Sequence, residues 1–203
     1  MNIELYKAGM KYKDSQIFSD LSFLAGAGDR LALVSSDYKS LTMTLQAMLG
    51  MRRLCSGWAS IDGEPVLPSV AACYRRYISY LPNNIDFEDI TLEQLAKSIL
   101  TGDSKYSSKE AERHLQLLGV ETDCLHRAFA SIDASTAQRA ALALTVMDGR
   151  PIALLDNPTS QQDEAGSRLV ADYLASSLFD DVAVVIATSD PIVTAVCNKK
   201  QNI

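Results

Sequence analysis

Two uninterrupted apolar runs decide what this chain can fold into. IALL at 152–155 and VAVVIA at 182–187 lack the polar alternation of a strand with one wet face. Short runs of this kind are strands covered on both sides, as in a parallel sheet flanked by helices. The segments around them suit that role. Residues 135–148 read as an Ala/Leu-rich helix, about 161–178 as another, and 190–200 as a third. Strands alternating with helices imply βαβ units with short, right-handed connections.

The first third reads differently. IELYKAG, IFSDLSFLA and DRLALVSS are short strands separated by turn residues, and residues 40–50 place Leu41, Leu45, Met48 and Leu49 at helical spacing. ASIDGEPV has the form of a hairpin turning at Asp62-Gly63. YISYLP is a further strand, stopped by Pro82. Residues 91–127 then become helical. TLEQLAKSIL is amphipathic, and SSKEAERHLQLLGV opens with a Ser107–Glu110 spacing that suits a capping box. The expected organisation is one domain, with 1–83 and 131–203 forming an α/β core and 84–130 an inserted helical lobe.

Composition excludes several classes. With 203 residues there is enough chain for one sizeable core. A formal net charge of -6 argues against a protein that grips a nucleic-acid backbone, which needs a basic face. The longest aliphatic run, VAVVIA, falls far short of a membrane span, and Asn2 and Glu4 interrupt any apolar leader. Cys55, Cys73, Cys124 and Cys197 form no CxxC pair, so free thiols in a reducing cytoplasm are expected. His114 and His126 lie in a polar helical stretch and are expected at the surface.

Parallel sheets place ligand sites at the carboxyl ends of their strands. Three such ends carry polar residues: Val34-Ser35, Asp156-Asn157 and Thr188-Ser189. They offer one carboxylate, several hydroxyls and an amide.

The order of segments resembles the ATP-binding subunit of an ABC transporter over nearly the whole chain. Tyr12 followed by KDSQIFSDLSF matches that family's aromatic-then-strand opening. GDRLALV through Gly50 matches its strand, phosphate loop and helix. ISYLPNN is similar to the segment bearing the family's Gln, and AQRAALALTVMDGRPIALLDNPTSQQD to its signature helix, Walker B strand and D-loop. VVIATSD is similar to the strand before its switch histidine. The resemblance implies a P-loop NTPase core with an N-terminal antiparallel β portion and an inserted helical lobe.

The residues that carry the family's chemistry are mostly replaced. A phosphate loop needs glycines, for positive φ and close backbone approach, and a lysine for charge. Here Ser35, Tyr38 and Ser40 stand at glycine positions and Leu41 at the lysine, while Asp37 adds negative charge. Thr42 alone matches, as a Mg²⁺ ligand. A register shift would offer Lys39-Ser40 instead. Asp156 matches the Walker B metal carboxylate, or is plain turn chemistry. Asn157 replaces the catalytic Glu, and an amide accepts no proton at neutral pH. Ser189 stands at the switch histidine and Asn83 at the Gln. Ile132, Asp133, Ala134, Ser135 and Thr136 occupy the Leu-Ser-Gly-Gly-Gln signature. Gln138 and Arg139 fit the pattern downstream of it, for recognition or for helix packing. Tyr12 matches the adenine-stacking aromatic, or is a half-buried strand-end residue. Asp163 matches the D-loop aspartate.

The resemblance therefore implies a pseudo-ATPase with no firm cofactor and at most weak Mg·ATP binding. Its candidate nucleotide contacts are Tyr12, Lys39, Ser40, Thr42 and Asn83, and its candidate metal ligands Thr42 and Asp156. The implied partners are a membrane permease and a second nucleotide-binding subunit, with the chain peripheral at the cytoplasmic face of the membrane and not itself spanning it. Two alternatives stand beside this: an active ATPase that uses Lys39 in a rearranged loop, and a soluble interaction protein without a permease.

Overall fold

The structure, a computed structural model, describes residues 1–13, 15–85, 90–100 and 106–203. The portions of the expected helical lobe at 86–89 and 101–105 lie outside the described residues. In chain order the elements are β1 (Ile3–Tyr12), β2 (Ser15–Ala25), β3 (Arg30–Val34), α1 (Tyr38–Met48), β4 (Ser56–Ile61), β5 (Glu64–Pro65), α2 (Ala71–Arg75), β6 (Ile78–Leu81), α3 (Leu92–Ile99), α4 (Ser108–Leu117), α5 (Ala134–Val146), β7 (Ile152–Asp156), α6 (Glu164–Ala175), β8 (Ala183–Ala187), α7 (Pro191–Ala195) and β9 (Lys199–Asn202). Three short 3₁₀ turns, at Thr122–His126, Phe129–Ser131 and Ser177–Phe179, complete the set among the described residues.

Two sheets result. The first is antiparallel, in the order β2-β1-β4-β5. The expected hairpin joins β4 to β5, and Asp62 (φ 48) and Gly63 (φ 84) take the left-handed pair that a two-residue turn of this hand requires. Opposite it, β1 shifts register between Tyr6 and Gly9. Gly57 sits against this bulge at φ 64, where a Cβ would run into the carbonyl oxygens of Tyr6 and Lys7. The second sheet is wholly parallel, in the order β6-β7-β8-β3-β9.

The apolar runs are explained by what lies on each side of this sheet. Ile152 and Leu154 of β7, with Ala183, Val185 and Ala187 of β8, face a core shared with α1 and the antiparallel sheet. Ala153 and Leu155, with Val184 and Ile186, face a second core built with α3, α4, α5 and α6. Every position along both strands is therefore buried, and each large aliphatic side chain contributes roughly 1.5–3 kcal/mol.

The helices follow their terminal signals. Thr91 and Gln94 make a full capping box at α3. Ser107 caps α4 by accepting from the Glu110 N–H at 3.3 Å.

Two expectations are corrected. Residues 190–200 are not one helix: α7 ends at Ala195, and Lys199–Asn202 forms β9, parallel to β3 with Leu31 opposite Lys199. An edge strand needs no apolar alternation when one side is solvent, so KKQN gave no strand signal. His114 is not at the surface. It is 6% exposed, on the buried side of α4, and its Nδ1 is hydrogen-bonded to the Tyr173 hydroxyl of α6. His126 is exposed, as expected. All four cysteines are free thiols.

Candidate functional site

The carboxyl ends of β6, β7, β8 and β3 converge on one side of the parallel sheet. The turn after β3 is short, and its polar groups serve each other. Asp37 is the N-cap of α1, and its carboxylate accepts from the Lys39 N–H at 3.0 Å. The Ser35 hydroxyl accepts from the Asp37 N–H at 3.1 Å. Ser40 is buried, and its hydroxyl donates to the Asp37 carbonyl at 2.7 Å. Helix N-termini offer unpaired N–H groups to anions, and here an internal carboxylate already occupies that place. Leu41 points away from the turn into the core, 1% exposed. The Tyr38 hydroxyl reaches across to hydrogen-bond Ser189 beyond β8.

Asp156 ends β7 at 2% exposure, and its Oδ2 has no hydrogen-bond partner among the described residues. Burial raises its pKa above the ordinary aspartate value. The Thr42 side chain and the Asn83 N–H act in the opposite direction without cancelling that effect. The neighbouring Tyr80 phenol is pushed up to about 12, first by burial and then by the charge of Asp156. Asn157 follows at φ 54, a left-handed conformation that Asn tolerates better than most residues. Its N–H donates to the Ala187 carbonyl at 2.8 Å, and its Nδ2 donates to Asn83 Oδ1 at 3.3 Å.

Tyr12, Lys39, Thr42 and Asn83 come together around a cavity of ≈ 240 Å³, with Tyr38 and Arg52 also on its wall. Three cations surround the Tyr12 ring: Lys39 Nζ at 4.1 Å from its centroid, Arg52 at 5.6 Å and Lys13 at 5.9 Å. Ser40 does not line this cavity, because its hydroxyl is turned into the loop. Sequence reasoning missed Arg52 and the Tyr38–Ser189 bond. Neither carries a local signal, since Tyr38 and Ser189 lie 151 positions apart.

The far side of the site is built the same way. Asp133 caps α5 by accepting from the Thr136 N–H at 2.9 Å, and that hydrogen bond is the main cause of its lowered pKa. Asp163 caps α6 through the Gly166 N–H at 2.8 Å, and Asp190 caps α7 through the Ile192 N–H at 2.9 Å. Burial works against ionisation of Asp190, but bonds from Ser167, Ile192 and Thr159 outweigh it and lower its pKa. Gln138 is buried and ties α5 to the loop after β7, donating to the Asn157 carbonyl at 3.2 Å and the Ser160 hydroxyl at 2.8 Å. Arg139 donates to Ser135 at 2.9 Å and to Gln162 at 2.8 Å. Both therefore pack the helix against this loop. Among the described residues there is no cluster of three His, Cys, Asp or Glu side chains that could hold a metal, and no helix long and apolar enough to cross a membrane.

No protein-family model matches the chain. In sequence it is similar to the cytochrome c biogenesis ATP-binding export protein CcmA of Rhizobium meliloti (strain 1021), 27% identical over 180 residues that span 87% of this chain and 85% of that protein. Its fold matches an ABC transporter ATP-binding protein from Pyrococcus furiosus with a TM-score of 0.85 at 19% identity, covering 100% of this chain and 97% of that one. It also matches a dimeric ATP-binding cassette in a post-hydrolysis state bound to ADP and Pi, with a TM-score of 0.86 at 16% identity over 99% and 94% of the two chains.

Proposed function

We propose that this chain, which has the fold of ABC ATP-binding domains and is related in sequence to ABC transporter ATP-binding proteins, is an ABC transporter subunit that has lost ATP hydrolysis. It pairs with a second nucleotide-binding subunit and with a membrane permease, and its role in that assembly is architectural. One observation carries the reading. The Asp37 carboxylate caps the helix end that a triphosphate would occupy, while Leu41 is folded into the core instead of presenting a cation.

The residues present do not fit a Mg·triphosphate. Charge-assisted hydrogen bonds contribute roughly 1.5–3 kcal/mol each. Losing the lysine and two or so loop contacts costs on the order of 5 kcal/mol, which moves a micromolar site to about millimolar. Asn157 in place of a general base removes roughly another 10²–10⁴ in rate. At the signature end, the carboxylate of Asp133 would face any phosphate brought by a partner.

An apolar surface supports the docking role. Trp58 and Leu67, 46% and 55% exposed, line one cavity with Leu54, Pro65 and Pro68, and Tyr6 lies against Trp58 with ring centroids 4.6 Å apart. Exposed apolar clusters of this kind mark interaction surfaces. With 1–83 and 131–203 as the core and 84–130 as the lobe, the chain sits as a peripheral subunit at the cytoplasmic face of the membrane.

Titration of the isolated chain with fluorescent ATP and Mg²⁺ tests the reading: saturation at low micromolar concentration overturns it. Co-purification with a permease from native membranes tests the partnership. A second reading, an ATPase working through Lys39, draws on the place of Lys39 beside Tyr12 and Thr42 in the 240 Å³ cavity. It requires measurable turnover that Lys39→Ala abolishes.

A further inference from the structure

A second cavity lies toward the opposite end of the strands from Asp156 and Asn83. It occupies ≈ 200 Å³ between α4, the end of α5, the first residues of β7 and the 3₁₀ turn at Ser177–Phe179. Val146, Met147, Ala153, Leu178, Phe179 and Val182 make its apolar wall.

Its polar side is unusual. Ser79, opposite Ala153 in the sheet, is 2% exposed, lines the cavity, and has no hydrogen-bond partner for its hydroxyl among the described residues. Buried hydroxyls are nearly always satisfied, so an orphan on a cavity wall points to an occupant that satisfies it. Beside it the Arg150 side chain is 10% exposed and fixed from three directions: Nε to Asp148 at 3.2 Å, Nη1 to the Ile78 carbonyl at 2.9 Å, and Nη2 to the Ile99 carbonyl. A guanidinium has five N–H groups, so two are left without a partner among the described residues. His114 adds a ring whose Nδ1 is held by Tyr173, leaving Nε2 without a partner among the described residues. Arg113, paired with Glu110 at 3.5 Å, stands at the exposed rim.

We propose that this cavity is a binding site for a small monocarboxylic acid with an apolar body. The uncommitted groups are mostly donors, so the ligand presents acceptors. With Glu110 on the cavity wall and Asp148 beside Arg150, a doubly charged phosphate or sulfate is repelled more than a single carboxylate, which draws on the Arg150 N–H groups and the Ser79 hydroxyl. A dry cavity of about 150 Å³ admits benzene, so this one admits an aromatic ring or a short branched chain bearing one carboxylate. A ligand here touches α4 on one side and β6, α5 and β7 on the other, and fastens these elements together.

The test is amide NMR of the full ¹⁵N-labelled chain titrated with benzoate and isovalerate, with benzamide as the uncharged isostere and inorganic phosphate as the simple anion. Saturable shifts confined to residues around Ser79, His114, Arg150 and Phe179, produced by the two carboxylates, are expected. Ser79→Ala removes a hydroxyl that has no partner among the described residues, so the variant folds; it weakens binding about tenfold, or about 1.4 kcal/mol. Arg113→Gln at the rim weakens it less. Absence of shifts with either carboxylate overturns the proposal. Equal binding of benzamide or phosphate, or affinity unchanged by Ser79→Ala, overturns it as well.

Discussion

Asn157 Nδ2 donates to Asn83 Oδ1 at 3.3 Å, joining the ends of two neighbouring parallel strands through a pair of amides. Neither amide can accept a proton at neutral pH, so the arrangement fixes two loops without offering a base. Asn157→Glu alone is expected to leave phosphate release at background in a coupled assay. A Glu at φ 54 also loses the tolerance of Asn for this conformation, and a drop of about 1 kcal/mol in urea-unfolding stability should accompany it.

Leu41→Lys introduces the missing cation at a position 1% exposed and packed in the core. Burying an ammonium there, or distorting α1 to release it, should cost about 2–5 kcal/mol. Denaturant midpoints are expected to fall well below those of the parent, with no gain in ATP binding by calorimetry.

Asp37→Ala removes the cap of α1 and should destabilise by about 1 kcal/mol. Asp37→Asn keeps an acceptor for the Lys39 N–H and should cost less. Comparison of the two variants by chemical denaturation separates capping from charge.

Asp156 is buried with a raised pKa. Its protonated form is the one the fold prefers, so its contribution is favourable at low pH and is lost as pH rises through its folded-state pKa. Asp156→Asn replaces the carboxylate by a neutral isostere. It should be neutral or stabilising at about pH 7, with the advantage shrinking toward about pH 4 in parallel urea titrations.

Burial lowers the pKa of His114, with Glu110 opposing this and Arg113 adding to it. The unfolded chain therefore binds a proton more readily than the folded one, and stability should decline as pH falls below about 6.5 toward the folded-state value. His114→Gln should flatten that decline. Tyr173→Phe, which strips the partner from Nδ1, should cost about 1–3 kcal/mol at neutral pH.

The parallel core was legible because burial on two faces leaves a continuous apolar run, as in Leu154 and Leu155, which point to opposite cores. The Asp62-Gly63 turn was legible because its backbone demands particular residues. The edge strand β9 was not, since KKQN is mostly solvated and its register is dictated by β3. His114 misled because α4 is polar over most of its surface, and a single buried imidazole depends on a tyrosine 59 positions away. At the site, the absence of glycines was readable. That Asp37, Asp133, Asp163 and Asp190 would each cap a helix emerged only with the helix starts fixed in space.

β9 has a consequence for how the molecule behaves in a crowd. It is the outermost member of the parallel sheet, and Lys199 and Lys200 are both exposed along it. Any neighbouring chain that tried to zip onto this open margin would have to strip water from the Lys200 ammonium and crowd the Lys199–Asp29 ion pair, 2.7 Å long. This selvage of the parallel sheet thus resists fraying into polymer.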